Sequence, residues 1–217
     1  MTGFCTGAKL PLMLDLDRLA ATPATAAPFT HIEADGLLPA DQRESLARDF
    51  PDPKKTGFFP VEELTYGPAF ARLIEDLRAP AFSRIVGEKL GKDLASRPKM
   101  IVVRRWSALK DGRAHTDGLD KVATALVYLN DDWKPEEGGA LRYLESDDLD
   151  GPGSDPIPAS YGAFTAFARS DTSWHGHKPF AGERRVVQVF WLVDEAAAAR
   201  KDKRHKRTHI LKALWPF

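Results

Sequence analysis

Residues 184–193 read RRVVQVFWLV and form the longest of five short runs of β-branched and aromatic residues that follow Met100. Such runs, when turn-forming residues separate them, are typical of strands in an antiparallel sheet. The other four runs are MIVVRRW (100–106), VATALVYL (122–129), ALRYL (140–144) and YGAFTAF (161–167). Segments rich in Gly, Asp and Pro lie between them. The pattern predicts a β-rich core over about residues 100–192.

The residues before this core show a helical pattern. Apolar residues recur at helical spacing within 39–50, and a second helical stretch, broken by Pro80, runs from Ala69 to Leu90. Helices followed by several short strands indicate an α+β fold that is mainly β, in which helices buttress one face of a jelly-roll-like double sheet. The Ala-rich stretch after Glu195 predicts a C-terminal helix with a basic face.

The length and charge of the chain limit its function classes. Its 217 residues can form one domain, and we expect an N-terminal extension at 1–28 and a single domain at 29–217. Lys and Arg total 31 and Asp and Glu total 31, so the zero net charge disfavours nucleic acid as a partner. Cys5 is the sole cysteine, and Asp15 and Asp17 interrupt the apolar stretch that a signal peptide needs. We therefore expect a cytoplasmic protein without a membrane span.

A candidate metal site is the centre of the functional argument. Side chains two apart on an extended segment point to the same side, so His115 and Asp117 of the triplet HTD can bind one ion. His175, within SWHGH (173–177), supplies a second imidazole ahead of the last strand. Two imidazoles and one carboxylate form the facial triad that leaves open positions on non-haem Fe(II). His177 lies two residues from His175, so the residues alone leave the choice of histidine open.

These motifs resemble the prolyl-4-hydroxylase-like branch of the iron(II)- and 2-oxoglutarate-dependent oxygenases. The resemblance covers residues 100–192 and rests on four blocks in matching order and spacing. The blocks are HTDG (115–118), YLNDDW (128–133), GGALR (138–142), and His175 followed by GERR (182–185) and Trp191. The resemblance implies a double-stranded β-helix in which His115, Asp117 and His175 bind Fe(II). It also implies 2-oxoglutarate and O₂ as co-substrates, with ascorbate as a supporting reductant.

The resemblance further implies a cation that binds the far carboxylate of 2-oxoglutarate, and a planar guanidinium suits this role. Arg184 and Arg185 are the candidates, and on a strand only one of them points inward. We expect Arg185, because it keeps the family's distance to Trp191 and lies on the same face, and Arg184 is the alternative. The expected residues of the same pocket are Tyr128, Thr124, Leu141 and Trp191.

Specificity for the primary substrate is expected to come from loops around the fixed core. Four residues are expected on the substrate side, namely His177, Lys121, Trp106 and Arg142. Trp106 stands where relatives often carry a pocket tyrosine. Arg104 adds positive charge that suits a substrate with a carboxylate or phosphate.

The expected activity is hydroxylation of a C–H bond in a small molecule, such as an amino acid, a sugar or a biosynthetic intermediate, with formation of succinate and CO₂. A prolyl-type peptidyl hydroxylase is the close alternative, and a peptide is then the partner. A non-catalytic jelly-roll module that binds a metal or a ligand is the alternative from another class. The basic run 201–207 suggests a nucleic-acid-directed demethylase, which the neutral overall charge disfavours. The residues leave the oligomeric state open.

Overall fold

The computed structural model describes residues 12–131, 133–134 and 138–201. The helices are α1 (Leu16–Ala21), α2 (Arg43–Asp49), α3 (Pro68–Arg78) and α4 (Pro80–Leu90), with short 3₁₀ helices at Ala40–Gln42 and Val61–Glu63. The strands are β1 (Ala24–Thr25), β2 (His31–Ala34), β3 (Phe59–Pro60), β4 (Lys99–Ser107), β5 (Lys121–Tyr128), β6 (Arg142–Leu144), β7 (Phe164–Ala168), β8 (Trp174–Gly176) and β9 (Gly182–Leu192). Residues 195–201 are helical, as the Ala-rich stretch predicts.

Proline and glycine set the limits of the two longest helices. Pro68 and Pro80 each occupy the first turn of a helix, where the missing N–H costs nothing. Gly91 follows the last residue of α4 and adopts the left-handed conformation, with φ 63°, that commonly terminates a helix. The break that Pro80 predicts in the helical stretch from Ala69 to Leu90 is therefore present, and the two helices meet at Ala79.

Most of the strands form one antiparallel sheet in the order β1-β2-β7-β5-β9-β4-β3, and β6 and β8 pair separately. Because β5 and β9 are neighbours, Tyr128 lies opposite Val186 and Thr124 lies opposite Phe190. Residues that lie opposite each other in an antiparallel pair project to the same face of the sheet. This register decides which side chains of β9 share a face with the polar residues of β5.

The large sheet has a different core on each of its faces. One face packs against α3 and α4, where Trp191 stacks on Phe82 with ring centroids 5.6 Å apart. The Trp191 indole N–H donates to Ser83 Oγ at 2.9 Å. The other face packs against β6 and the loop that follows it, and its apolar side chains include Leu126, Tyr128, Leu141, Tyr143, Phe167 and Val186. The α+β arrangement predicted from the sequence is thus confirmed, with α3 and α4 on one face, while Ala197 of the C-terminal helical residues packs with Phe190 and Leu192 at the end of the other.

Part of the predicted N-terminal extension packs into the domain. Met13, Leu14 and Leu19 are buried in the helix-side core. The Asp76 carboxylate of α3 accepts hydrogen bonds from the backbone N–H groups of Met13 and Leu14. Cys5 and residues 202–207 of the basic run lie outside the described residues. Within the described ranges, no helix combines the length and the apolar character that crossing a bilayer requires.

Candidate metal centre

The three candidate metal ligands lie close together in space: His115, Asp117 and His175. Asp117 and His175 are 58 positions apart in the chain. His115 and His175 form an isolated antiparallel bridge, in which each backbone N–H donates to the carbonyl of the other at 3.0 Å. One potential ligand atom from each of the three residues lies within 4.8 Å of the others. The bridge attaches the loop before β5 to β8 and so brings the two halves of the cluster together.

Backbone carbonyls hold both imidazoles in one tautomer. Nδ1 of His115 lies 2.9 Å from the Arg113 carbonyl oxygen, and Nδ1 of His175 lies 3.0 Å from that of Ser173. Because a carbonyl can only accept, Nδ1 carries the proton and Nε2 keeps a free lone pair. Burial lowers the pKa of His175 to about 4, so its ring is neutral at pH 7. The Nε2 atom of each histidine is thus available as a metal ligand.

Asp117 is an ionised, buried carboxylate. Its Oδ1 accepts from Lys121 Nζ and its Oδ2 accepts from Thr124 Oγ1, each at 2.5 Å. Burial by itself would raise the pKa of Asp117, but Lys121, His175 and the hydrogen bonds bring that pKa below its ordinary value. Two imidazoles and one carboxylate, with no thiolate, form a donor set that fits non-haem Fe(II).

The cluster opens into a cavity of about 280 Å³. Besides the three clustered residues, its lining consists of Phe58, Arg104, Asp111, Gly112, Lys121, Leu126, Leu141, Gly176, His177, Arg184, Gln188 and Phe190. The lining combines cationic side chains with aromatic and aliphatic ones, which suits an organic anion next to a metal ion.

The structure corrects the expected orientation of the two arginines of β9. Arg184 is only 2% exposed and lines the cavity, whereas Arg185 pairs with Glu183 at 2.8 Å on the other side of the strand. Arg184 donates from Nε to the Gly139 carbonyl at 2.8 Å, and its Nη2 lies 3.4 Å from the Tyr128 hydroxyl. Neither partner is an anion, so among the described residues this guanidinium has no counter-ion. The reason is register: Arg184 shares its face with Val186, which lies opposite Tyr128.

Three further expected placements also need correction. Trp191 faces the helices, where it stacks on Phe82, and so lies outside the cavity. Arg142 donates to the carbonyls of Leu149, Gly151 and Ser154, and therefore fastens the loop after β6. Trp106 is absent from the cavity lining, and the Arg105 guanidinium lies 5.5 Å from its ring. Strand alternation turns Trp191 away from the metal cluster, and loop contacts hold Arg142. For Trp106, a register shift in the β4–β9 pairing between Arg104 and Trp106 interrupts the alternation.

The other expected residues lie at the cavity. Leu141 lines it, Thr124 contacts Asp117, and the buried Tyr128 hydroxyl lies beside Arg184. Lys121, expected on the substrate side, lies at the cluster itself through its ion pair with Asp117.

His177 also lines the cavity but stays outside the three-residue cluster. Its Nδ1 lies 2.9 Å from the Lys178 carbonyl, and its backbone N–H donates to Gly112 at 2.7 Å. A Cβ at Gly112 would stand 2.3 Å from the His177 ring. Gly112, with φ 96°, therefore gives His177 the space that it occupies.

Sequence reasoning missed several residues of the lining. Gln188 and Phe190 share the Arg184 face of β9, so the alternation of the strand would have found them once that face was chosen. Phe58 comes from a segment far from the metal motif, and its sequence context carries no signal for this position.

The comparisons with known proteins agree with this geometry. The family described as the 2OG-Fe(II) oxygenase superfamily matches residues 104–193, which hold the clustered residues and most of the large sheet. The matched part of the chain, residues 104–193, is an oxygenase domain of this superfamily. The protein is a 2-oxoglutarate/Fe(II)-dependent dioxygenase, and Fe(II) and 2-oxoglutarate are its cofactor and co-substrate. The family, the enzyme class and the cofactors predicted from the sequence are thereby confirmed.

Solved structures of other oxygenases share the fold. A prolyl-4-hydroxylase from Pseudomonas putida is 19% identical with a TM-score of 0.50, and the match covers 82% of this chain and 90% of that one. Prolyl 4-hydroxylase from Phytophthora capsici is 16% identical with a TM-score of 0.55, over 88% of this chain and 69% of that one. HygX from Streptomyces hygroscopicus, with nickel and 2-oxoglutarate bound, is 16% identical with a TM-score of 0.50, over 74% and 81%. These likenesses confirm the predicted jelly-roll fold. No protein of curated function matches the sequence.

Proposed function

We propose that His115, Asp117 and His175 bind Fe(II) and that this dioxygenase hydroxylates a C–H bond of a small molecule, such as an amino acid, a sugar or a biosynthetic intermediate. The convergence of the three ligand atoms in a cavity lined by Arg184 carries the proposal. When bound, the iron would let O₂ oxidise 2-oxoglutarate to succinate and CO₂. One oxygen atom of O₂ enters succinate, and the other is inserted into the C–H bond of the substrate.

Arg184 holds the far carboxylate of 2-oxoglutarate in this proposal. A buried guanidinium without a counter-ion is costly, and a carboxylate supplies both the charge and acceptors for its remaining N–H groups. The Tyr128 hydroxyl, 3.4 Å from Arg184 Nη2, can donate to the same carboxylate. Leu141 provides apolar contact for the methylene groups of the co-substrate.

The residues around the triad act as positioning groups. The Arg113 and Ser173 carbonyls orient the two imidazoles, and Thr124 orients the Asp117 carboxylate. Lys121 holds the other oxygen of Asp117 and lies with its Nζ 3.7 Å from the centroid of the Phe190 ring. These contacts fix the direction of each ligand before a metal ion arrives.

The size of the cavity favours a small substrate. A space of about 280 Å³ must accept 2-oxoglutarate as well, so only a compact group can stand beside the iron. A peptidyl prolyl residue is the second candidate, and two of the similar structures are named prolyl hydroxylases. In that case the peptide chain would lie on the surface and only its side chain would enter the cavity.

Anaerobic addition of Fe(II) and 2-oxoglutarate tests the site. We expect a visible metal-to-ligand charge-transfer band that His115→Ala removes and that needs a higher 2-oxoglutarate concentration in Arg184→Gln. Arg185→Gln is the matched control, because its side chain lies outside the cavity, and its band should equal that of the wild type. A band that persists in His115→Ala would contradict the ligand assignment.

Substrate-dependent succinate formation then separates the two substrate classes. The proposal expects stimulation by free small molecules rather than by prolyl peptides. Stimulation by prolyl peptides alone would transfer the assignment to the peptidyl hydroxylase.

A further inference from the structure

Arg104 is a second buried arginine in the cavity, and the proposed function gives it no role. It lies on β4, its side chain is 9% exposed, and it lines the cavity together with the metal cluster. Val186 of β9 lies opposite Arg104, and Arg184 lies two residues from Val186. The two guanidinium groups therefore project from neighbouring strands to the same face of the sheet.

The protein only partly satisfies the Arg104 guanidinium. Nη1 lies 3.3 Å from Ser107 Oγ and 3.5 Å from Asp111 Oδ2, which is a long contact for an ion pair. Nε is buried and has no hydrogen-bond partner among the described residues. The Phe58 ring centroid lies 4.1 Å from the guanidinium carbon, so one side of the group is covered by an aromatic ring. A buried donor without an acceptor is rare in folded proteins and costs stability unless a ligand satisfies it.

The charge of the cavity points the same way. Arg104, Arg184 and Lys121 are the cationic side chains in the described lining, and Asp111 and Asp117 are the carboxylates. Fe(II) and the 2-oxoglutarate dianion cancel each other when both are bound. One positive charge is then left over, which a singly charged anion would balance.

Burial does not neutralise Arg104. Burial lowers its pKa to about 10, Asp111 opposes this shift, and the neighbouring Arg184 adds to it. The guanidinium is therefore still charged at neutral pH. Its planar group can pair with a carboxylate through two N–H donors.

We propose that Arg104 binds a carboxylate group of the primary substrate, so that the enzyme acts on small carboxylic acids. The proposal rests on the proposed function, because it assumes that 2-oxoglutarate occupies Arg184. Arg184 is bound to Gly139 and lies beside Tyr128, whereas Arg104 lies beside Phe58 and Asp111. The cavity thus has two separate cationic positions, one for the co-substrate and one for the substrate.

Binding to the Mn(II)- and 2-oxoglutarate-loaded protein tests the proposal, because Mn(II) supports binding without turnover. The probes are free amino acids and aliphatic and aromatic monocarboxylates, each paired with its primary amide. We expect at least one carboxylate to bind about tenfold or more tightly than its amide, as a charge-assisted hydrogen-bonded pair provides. Arg104→Gln should remove this preference and leave the dissociation constant of 2-oxoglutarate, measured by the charge-transfer band with Fe(II), within about twofold of the wild type.

Arg105→Gln is the matched control. Arg105 is the next residue on β4, and its guanidinium pairs with Asp52 and Glu183 away from the cavity. Its carboxylate preference should equal that of the wild type. Arg104→Lys keeps the charge but loses the planar pair of donors, and we expect it to lose about threefold or more of the preference. If circular dichroism shows that Arg104→Gln does not fold, Arg104→Lys serves as the test of the carboxylate preference.

Either of two kinds of result would overturn the inference, one on the carboxylate preference and one on 2-oxoglutarate binding. One is a wild-type protein that binds no carboxylate more tightly than its amide, or an Arg104 variant that keeps the full preference. The other is a loss of 2-oxoglutarate affinity in Arg104→Gln comparable to that in Arg184→Gln, which would assign Arg104 to the co-substrate. Absence of the charge-transfer band in the wild type would instead refute the proposed function itself.

Discussion

The two faces of the large sheet use the same strands for different purposes. The face toward α3 and α4 is almost entirely apolar, and its buried indole N–H is satisfied by Ser83. The opposite face carries Thr124, Arg104 and Arg184 beside the metal cluster. The strands β4, β5 and β9 therefore contribute stability through alternate residues and chemistry through the residues between them. This division implies that substitutions on the two faces should have separable effects.

The largest expected effect on the cavity face is that of His175→Ala. Loss of a metal ligand should reduce Fe(II) affinity by more than about 100-fold, which is the upper end of what loss of a merely orienting residue costs. The charge-transfer band should disappear, while thermal unfolding of the metal-free protein should still show a cooperative transition. A band of wild-type intensity would place the third ligand elsewhere, with His177 as the nearest other imidazole.

The largest expected effect on the helix face is that of Phe82→Ala. Phe82 is fully buried against Trp191, so its truncation should lower the free energy of unfolding by about 3–5 kcal/mol. Chemical denaturation measures this loss, and Leu109→Ala, at a residue 67% exposed, is the control. The folded fraction should bind Fe(II) and 2-oxoglutarate as the wild type does. A shifted charge-transfer band in Phe82→Ala would show that the two faces are coupled.

Acid should destabilise the cavity face selectively. Burial lowers the pKa of both His175 and His177 to about 4, below the ordinary value of 6.5. The unfolded chain binds more protons between these values, so the stability contribution is fully present above pH 6.5 and is lost as the pH falls toward 4. The loss is on the order of 3 kcal/mol for each imidazole. Denaturation of the metal-free protein across this range measures it, and His177→Asn should reduce the slope by about one proton. An unchanged slope would show that His177 does not titrate in this way.

A smaller effect is expected where a residue only orients a ligand. Thr124→Val keeps the side-chain volume but removes the hydroxyl that donates to Asp117. Fe(II) affinity should fall by about 10- to 100-fold. Thr165→Val, which removes a buried hydroxyl that donates to the Ile32 carbonyl, should lower stability without changing Fe(II) affinity. Equal Fe(II) affinity in the two variants would contradict the proposal that Thr124 orients the Asp117 carboxylate.

The smallest expected difference compares two glycines with positive φ. Gly112→Ala places a Cβ against His177, and we expect a loss of about 1–3 kcal/mol together with lower substrate-dependent succinate formation. Gly91 ends α4 on the helix side, and an added Cβ there meets nothing within 4 Å. Gly91→Ala should cost only about 1 kcal/mol from its backbone conformation and should leave activity unchanged. Equal activity in the two variants would show that His177 tolerates displacement.

Much of the fold follows from local patterns in the sequence. Alternating β-branched residues predicted the strands of the core, and Pro80 predicted the break between α3 and α4. The spacing of His115 and Asp117 predicted that both side chains point to the same side. These features depend on residues a few positions apart, so a single sequence is enough to predict them.

Long-range contacts were harder to predict. Phe58 reaches the cavity from a segment that lies far from the metal motif in the chain. Arg142 holds the loop after β6 through its backbone carbonyls, and the sequence does not indicate the path of that loop. The bridge between His115 and His175 depends on how β8 approaches the loop before β5. Such contacts depend on the packing of distant segments.

The sequence by itself determined that Arg184 and Arg185 point to opposite faces of one strand, because side chains alternate along a strand whatever its surroundings. Only the tertiary structure decided that Arg184 enters the cavity. That choice depends on the register between β5 and β9, which places Val186 opposite Tyr128. A shift of this pairing by one residue would turn every side chain of β9 to the opposite face of the sheet. No local property of the strand selects between the two registers.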